Sequence, residues 1–317
     1  MTYTKKGIVI TTIYHISKAI HKYVEKKDWC VYIVGDKKTP ELEYFELEKN
    51  NENVKYLSVD YQEKHYKVIS DLIGWNTIRR RNIGFLEALK NDMELIATVD
   101  DDNIPLNNWG ENILVGKEIE INCYNTDDIV FDPICVTNYE NIWHRGFPIQ
   151  LLHKRKDRYT LTRKKIKVDI QADFWNGDPD IDAICRLEHK PDCIFNDMYF
   201  PFCSNKFSPF NSQNTFLSRE ALKKYLVIPF IGRMDDIWIS YYIQSLGFNV
   251  IYDKATVLQD RNVQDLTKNM KDEFIGYEHN LALINDLILD PNNIYKYIPI
   301  ESKNVMEEYF KISHELL

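Results

Sequence analysis

The sequence is poor in the residues that cross-link, stiffen or break a chain. Its 317 residues include 6 cysteines, 11 glycines and 11 prolines. Cys30, Cys123, Cys135, Cys185, Cys193 and Cys203 form no Cys-x-x-Cys pair, which excludes the common zinc and thioredoxin-type patterns. The loose group Cys185, Cys193 and Cys203 has the spacing of incidental buried thiols rather than of ligands. No apolar run reaches the roughly 18 residues needed to span a bilayer. Residues 7–13 are too short for a secretory core, so reduced thiols and a cytoplasmic location are expected. Positive charge is also in deficit: 40 Lys and Arg against 48 Asp and Glu leave a net charge of -8. Nucleic-acid binders usually carry a basic surplus, so nucleic acid is not an expected partner. The one dense basic stretch, residues 153–167, is interleaved with apolar side chains.

What is present is apolar and periodic. At 44% hydrophobic and 13% aromatic, the chain can bury one large core with a small C-terminal addition. Residues 7–13, 30–34, 54–59 and 95–99 are short β-branched runs and predict buried parallel strands. Between them, residues 15–27 and 79–90 have helical spacing. This alternation predicts an α/β fold with a mostly parallel sheet. Further strands are expected at 119–123, 129–136, 161–170 and 249–258. Helices are expected from Ser218, at 234–246, at 265–289 and at 306–316. The turn-rich segment at Asp290-Pro291 divides residues 1–290, one domain, from a C-terminal helical tail packed on it, residues 291–317.

The most informative feature is the run Leu95-Ile96-Ala97-Thr98-Val99 leading straight into Asp100-Asp101-Asp102. Carboxylates at the end of a parallel strand stand where α/β proteins place ligands. Clustered anions repel unless a cation joins them, and oxygen-only ligands suit Mg²⁺ or Mn²⁺. Alternate residues point the same way, so Asp100 and Asp102 can share a ligand. Upstream, Arg79, Arg80 and Arg81 open a helix at the same sheet edge, where an arginine can fork to phosphate. Gly84 permits that helix to pack closely on the sheet. Asp36, after the second strand, can accept from a nucleobase ring N–H, with Thr11 and Thr12 at the same edge. Downstream, Asp235 and Asp236 place two acids at a helix start; one suffices as a cap, which leaves the other as a candidate general base. Residues 176–182 are acid-dense and turn-rich, and 209–215 are polar between aromatics; neither can be assigned from composition.

The order of these segments resembles the STELLO family of glycosyltransferase-like proteins and, more distantly, the reversibly glycosylated polypeptides that include UDP-arabinopyranose mutases. The matching segments are Val34-Gly35-Asp36-Lys37-Lys38-Thr39-Pro40, Arg81-Asn82-Ile83-Gly84, Asp100-Asp101-Asp102-Asn103 and Arg145-Gly146-Phe147-Pro148. Gly177-Asp178-Pro179-Asp180-Ile181-Asp182-Ala183, Asn211-Ser212-Gln213-Asn214-Thr215 and Arg233-Met234-Asp235-Asp236-Ile237-Trp238 complete the series. The resemblance covers residues 7–280. It implies a GT-A-type, Rossmann-like nucleotide-sugar-binding fold and a metal held by a DxD-type motif. On that basis Asp102 and Asp100 are the metal ligands, with Mn²⁺ or Mg²⁺ as cofactor. Thr11, Thr12, Asp36, Arg81, Asp100 and Asp101 form the donor-binding set, in which Asp101 has the more structural part. Asp235, Asp236 and Arg145 form the catalytic set, Arg145 matching an arginine that becomes glycosylated in the mutase branch.

Three departures qualify the match. The mutase branch has a second arginine seven residues after the reactive one, and this chain has Leu152 there. STELLO proteins carry an N-terminal membrane anchor, and this sequence shows none, so a soluble stand-alone catalytic domain is expected. A late metal-binding histidine is replaced by Leu258-Gln259-Asp260-Arg261-Asn262, leaving Asp260 or water to serve. The expected activity is metal-dependent transfer of a sugar, from a UDP-sugar in preference, to a hydroxyl of a glycan, protein or small molecule. The alternatives are a UDP-sugar mutase with a glycosylated Arg145 and a non-catalytic interaction protein. Sugar, acceptor, stereochemistry and oligomeric state are not written in the sequence.

Overall fold

Uninterrupted apolar runs need cover on both faces, and they obtain it as the inner strands of a parallel sheet. The computed structural model describes residues 3, 5–155, 159–261 and 264–316. Its first half alternates strands and helices: β1 (Lys6–Thr11), α1 (Lys18–Val24), β2 (Cys30–Val34), α2 (Glu41–Asn50), β3 (Val54–Leu57), α3 (Val59–His65), α4 (Lys67–Ile73), α5 (Arg81–Lys90) and β4 (Leu95–Asp100). These four strands lie side by side in the order β3-β2-β1-β4, all parallel, so their C-terminal ends share one edge. At Gly84 of α5 an added Cβ would fall 2.5 Å from Val9 and 2.8 Å from Val34, so the close helix–sheet approach expected there is real.

Beyond β4 the sheet becomes mixed. The chain adds β5 (Asn103–Pro105), β6 (Glu118–Asn125), β7 (Thr160–Lys167), β8 (Ile170–Gly177), α6 (Ala183–His189), β9 (Phe202–Ser204), β10 (Asn214–Ser218), α7 (Arg219–Leu222), α8 (Ile237–Ser245) and β11 (Val250–Gln259). β10 runs antiparallel between β4 and β8, while β8 and β11 are parallel. Two helices follow, α9 (Leu266–Leu289) and α10 (Ile300–Glu315). α10 is fastened to the rest by the Tyr309 hydroxyl, which donates to the Leu222 carbonyl at 2.9 Å. No described helix is long and apolar enough to cross a membrane.

Several expectations need correction. Residues 129–136 are buried but form turns, with one bridge from Val130 to Phe207. Pro133 cannot donate to a ladder, and the Asp132 carboxylate instead accepts from the N–H groups of Ile134 at 3.1 Å and His144 at 3.2 Å. Residues 161–170 divide between β7 and β8. β10 emerges from the polar segment that composition left unassigned, because Thr215, Phe216 and Leu217 are buried against β4. α2, α3, α4 and α6 had no strong apolar stripe; α2 buries only Tyr44. α10 begins at Ile300, ahead of the expected residue 306. Residues 1, 2 and 4, residues 156–158 of the basic stretch, Asn262 of the late motif with residue 263, and residue 317 lie outside the described residues.

Candidate active site

The C-terminal end of β4 opens onto a cleft of about 830 Å³. Asp100, Asp102, Arg145, Asp235, Asp236 and Arg261 all line it. Residues far apart in sequence thus share one open space at the sheet edge where ligands are expected.

The three consecutive aspartates divide their work. Asp100 receives the Arg81 guanidinium. Asp101 turns aside, accepting from the Thr12 hydroxyl at 2.5 Å, and its carbonyl accepts from Ser17 at 2.5 Å. It also lines a smaller cavity of about 340 Å³ beside α1, so it braces the loop rather than the main cleft. Asp102 is the unsatisfied member: its Oδ1 is buried and has no hydrogen-bond donor. Burial first, and then the charge of Asp100, raise its carboxyl pKa against the opposing pull of Arg261. A buried carboxylate oxygen without a donor, beside a second carboxylate, is a fitting donor set for a hard divalent cation. Among the described residues no group of three or more His, Cys, Asp and Glu could hold a metal by itself. The protein would supply Asp102 and Asp100, and a diphosphate and water the remaining oxygens, the mode usual for Mg²⁺. Asp260, considered as a late ligand, donates its backbone N–H to the Asp102 carbonyl at 3.3 Å while its side chain is exposed.

The arginines are mostly committed. Arg81 is fully buried and gives its donors to Ser212 O and Oγ, both at 2.8 Å, to Val99 O at 3.3 Å, to Thr11 Oγ1 at 3.4 Å and to Asp100. It is therefore a scaffold for Asp100 and is not free to fork to a phosphate, contrary to the expectation from its position. Arg80 stacks 3.7 Å from the Trp75 ring centre and is held by Gln62 and Ser70. Arg145 makes a bidentate pair with Asp180, both bonds 2.9 Å, and a second ion pair with Asp236 at 2.9 Å. Although burial disfavours its charge, Asp180 and Asp236 outweigh that and hold its pKa well above the ordinary value. No nucleophilic nitrogen lone pair is accessible on such a group, which counters glycosylation of Arg145. Arg79 lies 3.0 Å from Asp235.

The two acids before α8 are not equivalent. Asp236 accepts from Ser212 N at 2.9 Å and Ser212 Oγ at 3.1 Å. Burial opposes its ionisation, but the Arg145 guanidinium prevails and keeps its pKa below the usual range. Asp235 goes the other way: burial raises its pKa, with Arg79 opposing. Of this pair Asp235 is thus the more basic carboxylate, and Asp236 is part of the Arg145 anchorage.

The nucleobase candidate is also reassigned. Asp36 is buried and uses both oxygens on the next loop, accepting from Asn76 N at 2.9 Å and Thr77 N at 3.1 Å. It shapes the loop bearing Trp75, which lines the cleft. Thr11 and Thr12 are buried beneath the site and contact Arg81 and Asp101 in place of a ligand. Sequence reasoning missed three residues of consequence. Asp180 was submerged in an acid-rich loop, Trp75 carried no pattern, and Arg261 was passed over beside a missing histidine. Its Nε and Nη2 are buried without an acceptor.

No known protein-family profile matches the chain. Over an alignment of 283 residues, 81% of this chain, it is 24% identical to the probable glycosyltransferase STELLO2 of Arabidopsis thaliana. It is 23% identical to STELLO1 of the same plant over the same share. The chain spans 36% of the length of these two relatives. Among solved structures, a mannosyltransferase from Pyrobaculum calidifontis, in complex with GDP-Man and Mn²⁺, covers 99% of this chain and 74% of its own at TM-score 0.44 and 9% identity. The order of motifs and the two curated relatives agree in marking the chain as similar to the STELLO glycosyltransferases.

Proposed function

We propose that this chain is a metal-assisted glycosyltransferase domain that moves a sugar from a nucleoside-diphosphate donor, a UDP-sugar in preference, to an acceptor hydroxyl. One observation carries the reading: Asp102, with an unsatisfied buried oxygen, lines the same cleft as Asp235, a carboxylate made more basic by burial. The bond broken is that between the anomeric carbon and the diphosphate oxygen. The bond formed joins that carbon to the acceptor oxygen, and the nucleoside diphosphate departs. When bound, the divalent cation supplies neutralisation of the leaving diphosphate. Asp100 and Asp102 hold that charge in place, with Arg81 fixing the Asp100 rotamer. Asp235 takes the proton of the attacking hydroxyl, while Arg79 keeps its ionised form populated. Phe230 on the cleft wall offers an apolar face to a base or a sugar ring, beside Trp75, on which Arg80 is stacked. The clamped state of Arg145 speaks against the mutase alternative.

The test is a thermal-shift series with UDP-, GDP-, CMP- and dTDP-sugars, each with Mn²⁺ and with EDTA. A ligand that binds only the folded state raises the melting temperature. The expected result is a shift for one base, UDP in preference, that EDTA abolishes. No shift with any donor would sink the proposal.

A further inference from the structure

We infer that Arg261 is the side chain that grips the donor's diphosphate. This deepens the transferase reading and rests on it. Arg261 directly follows β11 and Asp260, whose backbone N–H is tied to the Asp102 carbonyl at 3.3 Å, so its position is fixed relative to the carboxylates. Its side chain is 7% exposed, and it lines the same cleft as Asp100 and Asp102. Nε and Nη2 are both buried and have no acceptor among the described residues. The nearest carboxylate, Asp178, stands 3.7 Å from Nε, outside hydrogen-bond range, and is already engaged by Arg186.

A buried guanidinium with idle donors is costly, and folded proteins keep such groups paired unless a ligand completes them. Burial disfavours its charge, and Arg186 and Arg233 add to that, while Asp180 and Asp178 pull the other way. The other arginines around the site are more fully engaged: Arg81 is held by Ser212 and Asp100, Arg145 by Asp180 and Asp236, Arg233 by Glu273, and Arg79, whose Nε also lacks an acceptor, by Asp235 and the Gly232 carbonyl. The vacancy at Arg261 calls for an anion with two oxygens spaced for a guanidinium fork, which a phosphate supplies. Placed beside Asp102, it would hold the diphosphate from one side while the carboxylates hold it through the cation. It also stands where a late histidine ligand was expected, so a fixed positive charge takes over part of that role.

The experiment is calorimetric titration of UDP and GDP, with Mn²⁺, into the wild-type chain, R261Q and R261K. Melting temperatures are recorded without ligand. For the better-bound diphosphate, R261Q is expected to weaken affinity roughly 10–100-fold, the loss of one or two charge-assisted hydrogen bonds. R261K should recover part of that loss, since lysine restores the charge without the fork. The matching nucleoside monophosphate should lose less than the diphosphate. Without ligand, R261Q should melt at or above the wild-type temperature, because it removes buried donors that have no acceptor. Wild-type affinity in R261Q overturns the inference and leaves the transferase reading intact. A clear fall in its ligand-free melting temperature also overturns it, since Arg261 would then be a structural partner. If the wild-type chain binds neither diphosphate, both readings fail together.

Discussion

In the proposed reaction Asp102 and Asp235 are the residues on which the chemistry turns, and each is marked by an imbalance in its surroundings. For Asp102 the imbalance is an oxygen with no donor, so Asp102→Asn should abolish cation-dependent nucleotide binding without lowering ligand-free stability, as read by calorimetry and thermal melting. For Asp235 it is a pKa raised by burial. A general base works only when ionised, so the rate should climb with pH as Asp235 loses its proton. That rising limb should lie above the ordinary aspartate value of about 4. Asp235→Asn should lower kcat by about 10²–10⁴-fold, flatten the limb and leave donor KM nearly unchanged. The carboxylates were legible in the sequence because clustered acids after a buried strand have few bland explanations. The arginines were not. Arg81 and Arg145 looked available, and Arg261 did not, because what a guanidinium touches is decided by segments far away, such as Ser212 for Arg81 and Asp180 for Arg145.

At the scale of elements, two joints hold the site. The first is α5 against β1 and β2, where Gly84 lets the helix carrying Arg81 approach the sheet. Gly84→Val should cost about 1–3 kcal/mol through overpacking and displace Arg81 from Asp100, seen as a lower denaturation midpoint and weaker donor binding. The second is the ion cluster of Arg145, Asp180 and Asp236, which ties two loops to the start of α8. Replacing Arg145 with Met leaves two buried carboxylates without their cation and should cost about 3–5 kcal/mol. The pH dependence has a defined sign. Asp180 and Asp236 have depressed pKa values in the folded state. Their contribution is therefore complete above the unfolded value of about 4 and is lost as pH falls below it. In Arg145→Met that acid-side loss should vanish, because both carboxyls then favour protonation. Melting curves from pH 2 to 7 distinguish the two patterns. The inner strands were readable as apolar runs, whereas β10 and the turns at 129–136 were not. A five-residue strand that starts Asn214-Thr215 is stabilised by its neighbours, and a buried segment broken by Pro133 keeps its burial but loses its ladder.

For the molecule as a whole, the parallel half β3-β2-β1-β4 carries the aspartates of the proposed site at its C-terminal edge, and the mixed half continues the sheet from β4. β10 inserts beside β4 and carries Ser212 and Gln213 to the cleft. β11 returns Arg261 to the same place, and α8 delivers Asp235. The parallel half could be read from alternation of strand and helix. The mixed half could not, because its strand order depends on pairings between segments widely separated in the chain, such as β5 with β11. The central claim is that this edge binds a nucleoside diphosphate through a cation held by Asp102. The most direct measurement is isothermal titration of the donor chosen by thermal shift into wild-type protein and Asp102→Asn, each with Mn²⁺ and with EDTA. Saturable heat from the wild-type protein in Mn²⁺ alone is the predicted result. Equal binding in EDTA, or by Asp102→Asn in Mn²⁺, would contradict it.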